Sequence, residues 1–188
     1  MSAQDYLSAI SGIYKSFGIT LPLNPGAEDA EIHQVQTKFG DDLNLATLLD
    51  LWRTANGSDS YTPVFLNPGI LTGYDLLSID ESLAQHDGMR ARAPQYEGYE
   101  DPEPRDPRIA SGWWQPGWLP FAEFGGSTML LLLDLTPEGT GRKGQVIPYT
   151  HDPDEMTWVA ESLSDFFKAS AEEFEKEGEE LLEDLRED

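Results

Sequence analysis

The sequence predicts an α+β fold, a mainly antiparallel twisted sheet with helices packed around it, and three observations predict it. Apolar residues recur at helical spacing at both ends of the chain. Between those ends, short strand-like runs are separated by Gly, Pro and Asn turn signals, so strands follow one another as a meander. The composition supports a packed core: 39% of residues are hydrophobic, with five Trp, seven Tyr and eight Phe. A chain of this length buries roughly two-thirds of its unfolded surface.

In chain order, Tyr6, Leu7, Ile10, Ile13, Tyr14 and Phe17 predict an amphipathic helix over 2–17, capped by Ser2 with Asp5 and stopped by Gly18. Asn24-Pro25-Gly26 is turn chemistry. A second helix starts near Ala27, carries Ile32, Val35 and Phe39 on one face, and ends at Gly40. A third covers 44–55 with Leu45, Leu48, Leu49 and Trp52, and stops at Asn56-Gly57. Strands are expected at 62–66 and 70–79 around Asn67-Pro68-Gly69, then a short helix from near Asp80. Residues 93–112 combine Pro94, Pro102, Pro104 and Pro107 with Glu97, Glu100, Asp101, Glu103 and Asp106; without periodicity, they read as a long exposed loop. Strands return at 118–124, 129–135 and 145–149, the second apolar on both faces and so central in the sheet. A last helix starts near Asp154, its expected cap, and carries Val159, Leu163, Phe167, Phe174, Leu181 and Leu185. The expected organisation is a single domain over 1–170 with the acidic, Pro-rich 93–112 loop inserted, followed by an acidic C-terminal helical tail over 171–188.

Charge sets the function classes. The chain carries 35 acidic and 12 basic residues, a formal net charge of −23. From Ala171 onward ten acids face two bases, and the remainder of the chain is still at −15. Nucleic acid and anionic membranes are disfavoured as partners, because phosphate binding needs Lys and Arg. A basic protein is attracted by a field of this sign, and its encounter is faster. The longest apolar run, 129–133, is far short of the roughly 18 residues of a membrane helix. The first 17 residues show Asp5 and mixed polarity in place of a basic patch and an apolar leader stretch. Cysteine is absent, which removes disulfides, thiol nucleophiles and thiolate metal sites and favours a reducing compartment. The expected location is the cytoplasm.

The motifs that resemble chemistry have simpler explanations. Gly139-Thr140-Gly141-Arg142-Lys143-Gly144 matches G-x-G-x-x-G, but a dinucleotide site needs a helix next, and a strand-like run with Pro148 follows. A hairpin loop fits better. His33, His86 and His151 are scattered, and His151-Asp152-Pro153-Asp154-Glu155 lacks the spacing of a zinc or calcium site. Among 35 acids a carboxylate pair for acid–base work is always available, so finding one carries little weight. No catalytic residue, cofactor or metal is expected. In Trp113-Trp114-Gln115-Pro116-Gly117-Trp118-Leu119-Pro120-Phe121, Trp118 and Phe121 belong to the core. Trp113 and Trp114 adjoin the acidic loop and leave two readings open, core packing or an exposed binding anchor.

Taken in order, these segments resemble the SUKH superfamily, which includes the fungal Smi/Knr cell-wall regulators and many bacterial toxin-immunity proteins. The resemblance spans about 27–167. It comprises the two helices ending in Leu51-Trp52-Arg53-Thr54-Ala55-Asn56-Gly57, then Trp118-Leu119-Pro120-Phe121-Ala122, the Gly125-Gly126 turn, Met129 to Asp134, Gly144-Gln145-Val146-Ile147 and a closing helix through Phe167. Leu43-Asn44 departs from the Leu-Pro often found before the second helix. The resemblance implies a SUKH-like α+β domain without catalytic residues. It implies an immunity protein of bacterial competition that binds a cognate polymorphic toxin, nucleases being one such class, and the alternative is a regulatory interaction scaffold. An acidic inhibitor suits a basic toxin. On charge and loop character, the expected contacts are Glu97, Glu100, Asp101, Glu103 and Asp106, with Trp113 or Trp114 as apolar anchor, in a protein that is a monomer or homodimer.

Overall fold

The computed structural model describes residues 1–101, 104–151 and 154–184. Helix α1 (Ala3–Ser16) begins where the Ser2 hydroxyl accepts the Asp5 N–H at 3.1 Å. Its buried stripe is Ala3, Tyr6, Leu7, Ile10 and Tyr14. Helix α2 (Asp29–Phe39) starts with a reciprocal box between Glu28 and Glu31 and ends at Gly40. A 3₁₀ turn over Leu43–Leu45 leads into α3 (Ala46–Thr54), which buries Leu48, Leu49, Leu51 and Trp52. The Trp52 indole N–H donates to the Leu77 carbonyl at 2.8 Å, tying this helix to the strands.

Strands β1 (Phe65–Asn67) and β2 (Ile70–Leu76) form a hairpin. Helix α4 (Ile79–Arg92) follows, and then β3 (Trp118–Phe124), β4 (Met129–Asp134), β5 (Gln145–Thr150), β6 (Glu155–Met156) and helix α5 (Leu163–Asp184). The six strands lie in the order β1-β2-β3-β4-β5-β6, every neighbouring pair antiparallel. The fold is α+β, as expected. Pro120 sits where the β3–β4 register shifts between Pro120 and Ala122. A bulge tolerates a residue without an N–H, so the strand survives its proline.

β4 lies between β3 and β5 and separates two cores. Leu131 and Leu133 point into one, and Leu130 and Leu132 into the other, as a two-residue period requires. The first core is covered by helices. In it the near-parallel rings of Tyr6, Phe65 and Phe167 form a triangle, with Tyr6 4.7 Å from Phe167 and 5.4 Å from Phe65. The Tyr6 hydroxyl donates to the Val64 carbonyl at 2.7 Å and lies 2.9 Å from the Ser170 hydroxyl. Burial pushes the phenols of Tyr6 and Tyr14 well up. The second core holds Met89, Trp113, Trp114, Trp118, Ile147 and Tyr149, and much of its cover is non-helical chain.

Besides β1 and β2, whose bounds depart from the expected 62–66 and 70–79, three elements differ more from expectation. α4 has fourteen residues rather than a short turn, because its buried face includes Ser82 and His86, polar residues that hide the apolar period. Ser82 donates to the Pro120 carbonyl and His86 Nε2 lies 2.9 Å from the Pro116 carbonyl, while His86 Nδ1 is buried without a hydrogen-bond partner among the described residues. β6 is a two-residue strand with no sequence period to announce it. α5 begins at Leu163, not near Asp154; the Ser162 hydroxyl, which accepts the Asp165 N–H at 3.2 Å, caps it. From Ala171 the helix continues to Asp184 without a break, with Phe174 and Leu182 buried and Gly178 beside Ile13 of α1. Among the described residues no helix is long and apolar enough to cross a membrane.

Candidate partner-binding surface

After the 3₁₀ turn Ala93–Tyr96, the described residues up to Pro116 form no helix or strand and run across the second core. A chain without regular structure supplies few partners for its own backbone, so other groups must satisfy those carbonyls. Arg105 does much of this work. Its guanidinium donates to the Ala110 carbonyl at 2.6 Å, to the Gly112 carbonyl at 2.8 Å and to the Asp101 carboxylate, and its side chain is only 8% exposed. Gln145 of β5 donates to the Arg108 carbonyl at 2.8 Å and to the buried carboxylate of Asp134 at 2.8 Å. Burial outweighs that donation and pushes the Asp134 carboxyl up.

The glycine-rich 139–144 segment forms the β4–β5 connection and beds this crossing chain. A Cβ on Gly139, whose φ is 53°, would meet the Pro107 carbonyl oxygen at 2.5 Å. One on Gly141 would collide with the Arg108 carbonyl. The glycines therefore allow one backbone to lie against another, and no helix follows them to hold a pyrophosphate.

Asp154 closes the other side. One carboxylate oxygen accepts from the Tyr149 hydroxyl at 2.9 Å and from His151 Nδ1 at 2.6 Å, and the other accepts from the Trp113 indole at 2.9 Å. Burial opposes its charge, but donation from His151, Tyr149 and Trp113 prevails and holds the carboxyl below its ordinary range. The residue expected to cap a helix is the latch of the crossing segment. Among the described residues no group of three or more His, Asp and Glu is placed to hold a metal ion.

The predicted contact residues divide sharply. Glu97 and Glu100 are exposed, with no ion-pair partner among the described residues. Asp101 is paired with Arg105. Asp106 accepts from the Arg108 backbone and guanidinium, and this pairing holds its carboxyl down. Arg108 in turn lies over the Trp158 ring, 3.7 Å from its centroid. Glu103 lies outside the described residues. Trp113 is 4% and Trp114 7% exposed. Trp113 stacks on Tyr96 at 4.1 Å, and Trp114 meets Trp118 edge-on at 5.6 Å. The exposed-anchor reading of these two residues is corrected: both rings complete the second core, because a sheet face covered largely by irregular chain needs large side chains to fill it.

A feature that sequence reading missed lies at the far side of the sheet. β2 and β3 pair only at Asp75 with Glu123 and Leu76 with Ala122. Beyond Glu123, β3 continues with β4, while the first half of β2 follows β1. The divergence opens a groove of about 240 Å³. Its rims include Tyr61, 83% exposed, and Phe124, 49% exposed, and these are the two aromatic side chains exposed among the described residues. A lone aromatic before Gly125-Gly126 was the available signal, since a hairpin tip offers it little to pack on.

These features define an α+β domain with a sheet covered on both faces and a surface dominated by carboxylates. The model of the SMI1/KNR4 family (SUKH-1) matches residues 26–169. The chain belongs to that family. No curated protein matches it. Helix α1 and the end of α5 lie outside the matched span, yet Tyr6 and Phe174 belong to the helix-covered core.

Proposed function

We propose that this protein is an immunity protein, one that binds a cognate toxin and neutralises it by direct contact rather than by chemistry. The observation that carries the reading is a SUKH-family fold with a formal net charge of −23. Its exposed acids include Glu97 and Glu100 beside the crossing segment and Glu172, Glu175, Glu179 and Glu183 along α5. A surface of this sign raises the capture rate of a basic protein and discriminates against acidic ones. Nuclease toxins, which hold phosphates, have that basic character.

The contact residues on the crossing segment are Glu97 and Glu100, which are free to meet a partner; Asp101 and Asp106 act from behind by holding the segment in shape. The test is co-expression with the product of the neighbouring gene, scored for survival and for co-purification at low and high salt. Rescue with a salt-sensitive complex is the expected result. Toxicity without rescue, or neither toxicity nor complex, overturns the reading and favours a regulatory scaffold with several weak partners.

A further inference from the structure

The groove between the diverging ends of β2 and β3 has chemistry of its own. Asp75 and Glu123 are direct cross-strand partners, so their side chains share one face of the sheet. Like charges placed directly opposite destabilise a sheet. Here the carboxylates are held in place all the same. Asp75 accepts the Tyr61 N–H at 2.7 Å, and Glu123 accepts from the Gln85 side chain at 2.8 Å. Among the described residues no cationic side chain pairs with either one, nor with nearby Glu81. Burial first, and then the charges of Glu123 and Glu81, push the Asp75 carboxyl up against donation from Tyr61 and Thr62.

The rims point the same way. Among the described residues Tyr61 is the non-glycine residue with a positive φ, 61°; its ring is exposed while its N–H reaches Asp75. Phe124, the residue after Glu123 at the end of β3, also lines the groove. Gly73 lets Pro63 close the wall, since a Cβ there would meet the proline ring at 2.7 Å. The result is a concave site with two carboxylates and the two exposed aromatic rings. Carboxylates alone would attract any cation. Carboxylates with exposed aromatic rings beside them favour a flat, weakly hydrated one, whose fork pairs with the oxygens while its face lies on a ring.

We infer that this groove receives an arginine side chain from a basic partner protein, its guanidinium held by Asp75 and Glu123 and flanked by Tyr61 and Phe124. The inference deepens the proposed function and rests on it only for the basic character of the partner. It places a recognition point on the sheet's β2–β3 end, apart from the crossing segment that carries Glu97 and Glu100.

The experiment needs no toxin. The full ¹⁵N-labelled chain is titrated with N-acetyl-arginine amide and, in parallel, with N-acetyl-lysine amide. The expected result is saturable shifts of the Tyr61, Gly73, Asp75, Phe124 and Gly125 amides, with the arginine compound binding more tightly. The double variant Asp75→Asn with Glu123→Gln keeps the acceptor atoms and removes the charges. It should retain the dispersed spectrum and bind about tenfold more weakly or worse, as the loss of two charge-assisted contacts implies. Non-saturating shifts spread along the acids of α5, equal binding of both compounds, or an unchanged titration in the variant would overturn the assignment. A groove that fails leaves the rescue assay to stand or fall by itself; a failed rescue beside a titrating groove removes only the toxin.

Discussion

The two faces of the sheet are built from different materials. One is covered by α1, α3 and α5, whose backbones satisfy themselves, so the side chains beneath them need only be apolar and well shaped. The other is crossed by the chain between 97 and 116, whose described residues form no helix or strand, and its contacts are polar pins: Arg105 on two carbonyls, Gln145 on a third, Asp154 on Trp113. In an acidic protein, part of the charge therefore serves to hold irregular chain in place. Six of its acids and bases, Asp101, Arg105, Asp106, Arg108, Asp134 and Asp154, fasten the irregular cover, and on that segment Glu97 and Glu100 are the exposed acids without an ion-pair partner among the described residues.

The comparison breaks most readily at the helical face. Phe167→Ala removes a ring stacked on Tyr6 and leaves a cavity, at a cost of about 3–5 kcal/mol. A cooperative loss seen equally by far-UV dichroism and tryptophan fluorescence in urea is expected; loss by one probe alone would show the two cores to be separable. Arg105→Met keeps the bulk and removes the donors of two carbonyls and of Asp101, costing about 2–3 kcal/mol. Hydrogen exchange should lose protection across 105–116 while α1 and α5 keep theirs. Equal loss in the helices would mean that the cover is not a local unit.

Asp154→Asn is smaller, about 1–2 kcal/mol at neutral pH. Its sign with pH follows from the lowered carboxyl of Asp154. The contribution is present above the ordinary carboxylate value of about 3.9 and is lost as pH falls through the folded value. Melting curves of wild type and variant should therefore converge in acid. Asp75 has the opposite sign, because its carboxyl is raised: its ionisation weakens the fold as pH rises from the unfolded value through the folded one. The smallest effect on stability belongs to Glu97→Lys with Glu100→Lys, within about 0.5 kcal/mol. That pair should nonetheless weaken toxin co-purification at low salt, and an unchanged complex would move the contact surface away from the crossing segment.

The helical face was legible because periodicity is local. Tyr6, Ile10 and Tyr14 announce the buried stripe of α1, and Leu130 to Leu133 announce a strand buried on both sides. The irregular face was not. α4 was underestimated because Ser82 and His86 occupy core positions whose polar groups find carbonyls in β3 and the chain before it. Trp113 and Trp114 could be assigned to core or surface only once Tyr96, Trp118 and Asp154 were in place around them. The acidic 93–112 stretch looked like one anionic loop, but Asp101 and Asp106 are paired with arginines of the same segment.

Composition and local spacing were enough to fix the fold class, the buried face of α1 and α3, the central strand and the sign of the surface field. Each follows from short-range spacing or from composition, and neither depends on what the chain meets later. Only the tertiary structure decided which acids are pins and which are free, and that Asp75 and Glu123 share a groove between two strands about to part. Those outcomes turn on residues distant in the chain being brought to hydrogen-bonding range, and a spacing along the chain carries no record of that distance.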